Sequence, residues 1–214
     1  MKVTFPVDFW WGGATSGPQN EGRFHKPHVN VFDYHYDTKP EDFFRYVGPD
    51  VASDFYHLYE SDIAMFKDLG FNSLRTSIQW TRLIDDLEEG SLNPEGVAYY
   101  NRVIDTLLAA GIRPIINLHH FDLPIELYER YGGWESKHVV ELFVKFARRA
   151  FECFGDRVTD WMTFNEPMVV VEGQYLYGFH YPMLVDGKKA VQVAYNLQLA
   201  SAKAIQDYRQ INQN

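Results

Sequence analysis

The sequence predicts an α/β protein of parallel strands covered by helices, and three observations predict it. Short, continuously apolar runs recur along the 214 residues. Each is followed by a longer stretch whose apolar residues fall at helical spacing. Glycines, or a Ser or Asn, mark the joints between them. Continuous apolar strands imply burial on both faces, as in a parallel sheet sandwiched by helices. An open doubly wound sheet and a closed (β/α)8 barrel both fit that pattern. The nucleotide-binding open sheet places a phosphate loop after its first strand. Here that position reads Gly12-Gly13-Ala14-Thr15-Ser16-Gly17, neither a dinucleotide fingerprint nor a P-loop. The TIM barrel is therefore the expectation. Eight units need about 250 residues and only four are visible. The chain, 1–214, is expected to be a single domain covering about the first four β/α units, a half-barrel.

Taken in order, Phe9 to Ala14 is an apolar run closed by glycines, the first strand. A loop rich in Pro, His and Asp runs through His25 to Gly48. A helix from about Asp50 to Leu69 follows, with Phe55, Leu58, Tyr59, Ile63, Phe66 and Leu69 on its inner face and Gly70 as its stop. Asn72 to Ile78 is the second strand. Asn93-Pro94 opens a helix as an N-cap with Pro in the first turn; Tyr100, Val103, Ile104, Leu107 and Leu108 face inward and Gly111 ends it. Arg113 to Leu118 is the third strand. Ser136 caps a helix burying Val140, Phe143, Phe146, Ala147 and Phe154. Thr159 to Phe164 is the fourth strand, and a last helix spans about Lys188 to Tyr208. The acidic run Asp85-Asp86-Leu87-Glu88-Glu89 reads as a solvated loop.

Composition narrows the function classes. At 46% hydrophobic residues the chain can pack a core rather than stay disordered. A formal charge of −9 argues against nucleic acid, whose phosphates select basic surfaces. The lone Cys153 has no internal disulfide partner and reads as a small apolar residue on a helix. No run approaches the roughly 20 apolar residues of a membrane span, and the N-terminus lacks a signal-peptide pattern. A cytoplasmic location is the expectation.

In a barrel of this kind, chemistry gathers at the C-terminal ends of the strands. Gln19-Asn20-Glu21 follow the first strand. The second holds Arg75 and leads to Trp80 and Arg82. His119, His120, Phe121 and Asp122 follow the third; Asn165-Glu166-Pro167 follow the fourth. Glu166 is the sharpest of these. A carboxylate at the end of an apolar strand is expected to be partly desolvated, which raises its pKa and suits it to proton transfer. The rival reading of Glu166 is a helix-capping carboxylate. The lesser reading of Gln19 is that it merely closes a loop, and that of Arg75 is a pairing with a helix carboxylate. Adjacent His119 and His120 on an extended segment point to opposite faces, so they are poorly placed to share a metal.

Nine ordered blocks carry a resemblance. They are Phe9-Trp10-Trp11-Gly12-Gly13-Ala14-Thr15-Ser16, Gln19 with Glu21-Gly22, Tyr56 to Gly70, Phe71-Asn72 to Arg82, and Tyr99-Tyr100-Asn101 to Ile104. His120-Phe121-Asp122-Leu123-Pro124, Tyr131-Gly132-Gly133-Trp134, Phe154-Gly155-Asp156-Arg157-Val158 and Thr163-Phe164-Asn165-Glu166-Pro167 complete them. Through these, the chain resembles the glycoside hydrolase family 1 β-glycosidases up to at least Pro182. The resemblance implies retaining hydrolysis of a β-glucoside or 6-phospho-β-glucoside without a cofactor. It makes Glu166 the general acid/base and Asn165 the partner of the sugar 2-hydroxyl. Gln19 and His120 would bind hydroxyls further round the ring, beside Phe121. Arg75 would hold the nucleophile's carboxylate ionised.

That nucleophile belongs to the family's seventh strand. Glu21, Glu126, Glu129 and Glu172 lack such a strand-end setting, so the isolated chain is expected to be inactive. The pattern departs from the commonest family sequence at Gly17-Pro18, Gln79, His119 and Phe121. Those departures resemble a bacterial branch acting on 6-phospho-β-glucosides. The alternative to an enzyme is a half-barrel that associates through its two open strand edges, with itself or with a complementary half.

Overall fold

The computed structural model describes residues 3–211. Its elements run β1 (Gly12–Ala14), α1 (Gly17–Asn20), α2 (Val31–Thr38), α3 (Phe55–Asp68), β2 (Ser73–Ser77), α4 (Trp80–Leu83), β3 (Ile84–Asp86) and β4 (Ser91–Leu92). They continue α5 (Pro94–Ala109), β5 (Arg113–His119), α6 (Ile125–Tyr131), α7 (Lys137–Phe154), β6 (Asp160–Phe164), α8 (Pro167–Tyr175) and α9 (Gly187–Ile211). Four strands form one parallel sheet in the order β1-β2-β5-β6, as expected of successive β/α units. Ala14 pairs with Arg75, Arg75 with Ile115, and His119 with Phe164. The C-terminal ends of all four strands therefore open on one side.

The first strand is shorter than its apolar run suggests. Trp10 and Trp11 are about half exposed and lie outside β1. The Trp11 carbonyl accepts from the Asn72 and Ser73 amides at 2.9 and 3.2 Å, so the run touches β2 without building a ladder. Gly12 then lets the two backbones meet: a Cβ there would sit 2.0 Å from the Ser73 carbonyl oxygen.

The loop through His25 to Gly48 contains a helix, α2, that the Pro- and Asp-rich composition hid. A capping box starts it, with the Asn30 side chain accepting from the Phe32 and Asp33 amides and the Asp33 carboxylate accepting from the Asn30 amide. Helix α3 begins at Phe55 rather than Asp50, because Ala52 and Asp54 take left-handed φ values of 54° and 56°. Its buried stripe is Phe55, Tyr56, Tyr59 and Ile63, while Leu58 and Leu69 are exposed. The Tyr56 ring stacks on Tyr99 of α5 at 4.6 Å, which rotates that face inward at the expense of Leu58. On α5, Leu108 likewise turns outward.

The acidic run is more ordered than a solvated loop. It forms the antiparallel β3–β4 hairpin, in which Asp86 accepts from the Glu88 and Glu89 amides at 2.8 and 2.9 Å. Leu87 is buried beneath it. Helix α7 follows the sequence closely. The Ser136 hydroxyl caps the His138 amide, and Val140, Phe143, Phe146, Ala147 and Phe154 are all buried. Phe143 lies at the centre of the core, 4.8 Å from Phe164 of β6 and 5.6 Å from Trp134.

Strand β6 departs from the two-faced burial its apolar run implied. Met162 is 40% exposed. The strand is a sheet edge among the described residues, with β5 on one side only. The opposite edge is β1.

Candidate functional site

The residues singled out by the sequence lie at or after the open strand ends, except Arg75, which lies within β2. The Thr15 amide donates to the Arg75 carbonyl and the Asn165 amide to the His119 carbonyl, so the chain leaves β1 and β6 still tied to its neighbours. Asn165 is buried and Glu166 is exposed. The Arg75 guanidinium reaches across the sheet and donates to the Asn165 side-chain oxygen. The Asn165 amide donates to the Glu166 carboxylate at 2.9 Å. Arg75 within β2 and two residues at the end of β6 thus form one chain of charge-assisted hydrogen bonds.

Glu166 stands at the junction of β6 and α8 with φ 43° and ψ 60°, and Pro167 begins the helix. Its side chain makes no capping bond, which removes the helix-cap reading. A left-handed turn at a non-glycine residue costs free energy, and the surrounding structure holds Glu166 in it. The partial desolvation expected at this strand end is not found among the described residues, which leave Glu166 exposed. The Arg75 partner is Asn165, a strand-end amide, rather than a helix carboxylate.

Gln19, His120 and Phe121 come together in a groove of about 490 Å³, shared with Phe32, Phe43 and His180. Glu166, Asn165 and Arg75 do not line it. The Ser16 hydroxyl donates to the Gln19 side-chain oxygen at 2.8 Å, and the Gln19 amide nitrogen donates to the Ser16 carbonyl at 3.1 Å, closing the turn of α1. Phe32 and His180 were not found by reading strand ends. Phe32 comes from α2 and His180 from the segment after α8, where no apolar strand announces them. An aromatic residue in a capped helix such as Phe32 carries no sequence signal separating a groove wall from a core side chain.

The two histidines diverge as their alternation predicts. His119 is buried against Trp134 and Phe164, at ring distances of 5.2 and 5.3 Å, and burial pulls its pKa down to about 3, with His120 adding to the shift. His120 turns to the groove. Burial, and then the charge of Arg75, lower its pKa to about 4. Its Nδ1 is buried with no hydrogen-bond partner. Asp122 fixes this corner. Its carboxylate accepts from the His120 amide at 2.9 Å and the Trp80 amide at 3.1 Å, while burial raises its pKa to about 6. Phe121 between them has φ 66°. Among the described residues, no group of three or more His, Cys, Asp or Glu side chains could hold a metal ion.

Three strand-end residues prove to be internal supports. Glu21 and Arg82 form a buried ion pair at 2.9 Å, and Arg82 also donates to the Phe24 and Gly22 carbonyls at 2.6 and 3.1 Å. Trp80 stacks on Phe146 at 5.3 Å. The Glu21–Arg82 pair fastens the segment after β1 to the segment after β2, and Trp80 packs that second segment on α7.

The sequence profile of glycosyl hydrolase family 1 matches residues 1–214. A curated relative, the 6-phospho-beta-glucosidase GmuD of Bacillus subtilis, is 47% identical over 100% of this chain and 46% of its own length. Beta-glucosidase A of Acetivibrio thermocellus is 37% identical over 99% of this chain and 47% of its own. Among solved structures, aphid myrosinase superposes with a TM-score of 0.91 at 35% identity, covering 97% of this chain and 45% of that one. The AHE enzyme of Alicyclobacillus herbarius superposes with a TM-score of 0.90 at 33% identity. The chain spans a little under half the length of the relatives it matches, and its fold is the N-terminal half of their barrel.

Proposed function

The chain belongs to glycosyl hydrolase family 1, and from that premise we propose that its open strand ends form half of the site of a retaining β-glycosidase. The observation that carries this is the Arg75–Asn165–Glu166 chain, ending in an exposed carboxylate on the same side of the sheet as the Gln19–His120 groove. Glu166 protonates the leaving aglycone oxygen, then takes a proton from the water that releases the sugar. Its partner, a nucleophilic carboxylate about 5 Å away, comes from a strand outside these four. Gln19 and His120 bind ring hydroxyls. The unpartnered His120 Nδ1 supports that role, since a buried polar atom without a bond is costly and a hydroxyl would satisfy it. Phe121 offers an apolar face to the ring, and the Arg75 guanidinium, already bonded to Asn165, also holds the nucleophile in its ionised form.

The substrate class we favour is a 6-phospho-β-glucoside. The 47% identity to a 6-phospho-beta-glucosidase supports it over an unphosphorylated glucoside. Hydrolysis of p-nitrophenyl β-glucoside and of its 6-phosphate by the chain joined with a complementary C-terminal half tests the assignment. Preference for the phosphorylated substrate is expected, and equal turnover of the two would remove it.

A second reading has its own observation. Both β1 and β6 are sheet edges among the described residues, and Met162 of β6 is exposed. Parallel edges of this kind could close a barrel with a second copy or with a complementary half. Light scattering discriminates the cases, because a second copy makes the mass depend on concentration.

A further inference from the structure

Gly17 and Gln79 interlock. Gln79 is fully buried at the start of α4, and its side chain lies across the turn of α1. A Cβ added to Gly17 would fall 2.4 Å from the Gln79 Cγ and 3.0 Å from its Cδ. The Gln79 side chain has little freedom to retreat. Its Nε2 donates to Glu21 Oε2 at 2.8 Å, and its Oε1 accepts from Lys26 and Asn30 at 3.4 Å each. The backbone is pinned as well, since the Gln79 amide nitrogen donates to the Tyr100 hydroxyl at 2.8 Å. On the other side, the Gly17 amide donates to the Ser77 hydroxyl at 2.8 Å.

We propose that Gln79 is the positioning residue for Gln19, and that Gly17 is the glycine that admits it. Gln79 touches no part of the groove. It grips the α1 turn from below, at Gly17 on the near side and Glu21 on the far side, with Gln19 between them. Any change in the length of residue 79, or any Cβ at residue 17, shifts the turn that carries the Gln19 amide. The two residues form a matched pair: a short side chain at 79 tolerates a methyl group at 17, whereas glutamine does not. The sugar-facing consequence rests on the role proposed above for Gln19, while the interlock itself does not.

Two cycles of variants of the full 214-residue chain test it. In the first, Gly17→Ala lowers the melting temperature by about 3 °C or more when residue 79 is Gln, and by much less when residue 79 is Ser. Equal losses in both backgrounds would overturn the interlock. In the second, hydrogen exchange of the Gln19, Asn20 and Glu21 amides quickens about tenfold in Gln79→Met, which keeps volume and loses the bond to Glu21. Unchanged exchange there would overturn the positioning role. Glucose 6-phosphate titration adds the functional arm. Gln79→Met weakens binding with Gln19 present and has no further effect once Gln19→Ala is made; equal weakening in both backgrounds contradicts action through Gln19. Should the wild-type chain bind no sugar, the proposed function loses support, and the thermal and exchange cycles still decide the interlock.

Discussion

A hydrogen-bonded carboxylate, Glu166, stands where two neighbours control it. Asn165 is held by Arg75 and in turn holds Glu166, so a change at Arg75 acts on the acid/base through an intermediate amide. Arg75→Lys keeps a positive charge but loses the planar fork. In the assembled enzyme it should lower kcat/KM at least tenfold while leaving far-ultraviolet circular dichroism unchanged, a comparison that steady-state kinetics and spectroscopy make together. The buried histidines give a second residue-scale prediction. His119 and His120 have folded pKa values of about 3 and about 4, below the unfolded value near 6.5, so the unfolded chain binds their protons more readily. Stability from them is complete above about pH 6.5 and is lost as pH falls toward those folded values. Asp122 has the opposite sign. Its folded pKa of about 6 lies above the unfolded value of 3.8, so its contribution declines as pH rises through that interval. Between pH 6.5 and 4, calorimetry should show the wild type losing more melting temperature than His119→Leu does.

At the scale of elements, the parallel order β1-β2-β5-β6 was legible, because buried parallel strands are continuous apolar runs and the helices between them keep a 3.6-residue period. Helix α7 was legible almost residue by residue, since its cap and its apolar face agree. What escaped reading depended on partners distant in sequence. Tyr56 could not be placed on the inner face of α3 without knowing that Tyr99 stacks on it. The β3–β4 hairpin hid in an acidic run because Asp86 supplies its turn through local side-chain bonds rather than through a glycine pair. Helix α2 hid in polar composition, although Asn30 and Asp33 spelled a capping box. The site divides in the same way. The positions of Glu166, Asn165, His120 and Gln19 after strand ends, and of Arg75 within the second strand, were legible, whereas the internal pairing of Glu21 with Arg82 was not. One element-scale prediction separates core from surface. Phe143→Ala should cost about 3–5 kcal/mol of unfolding free energy. Leu58→Ala, on the exposed side of α3, should change it by about 0.5 kcal/mol or less. Denaturant titration of the two variants checks the contrast.

At the scale of the whole molecule, the described residues form a four-stranded parallel sheet with two free edges and a separate two-stranded hairpin. In a closed barrel each edge strand has two neighbours and no edge remains. Here the strand carrying Glu166 to the site is itself an edge, so the geometry of the acid/base and the closure of the sheet are one question. Supplying the remaining strands should bury Met162 and raise the melting temperature. Binding of a complementary half should do so in a concentration-dependent way, read by differential scanning fluorimetry.

The central claim is that Glu166 is the acid/base of a retaining reaction whose nucleophile lies on another strand. The measurement that tests it most directly is turnover of p-nitrophenyl β-glucoside 6-phosphate by this chain, alone and joined by a complementary C-terminal half, with Glu166→Ala compared in the presence of azide. The account predicts no turnover by the chain alone and restored turnover by the pair. It further predicts that azide rescues Glu166→Ala to give a β-glycosyl azide of retained configuration, because azide needs no general base. Turnover by the chain alone, or a paired Glu166→Ala enzyme as fast as wild type without azide, would contradict it.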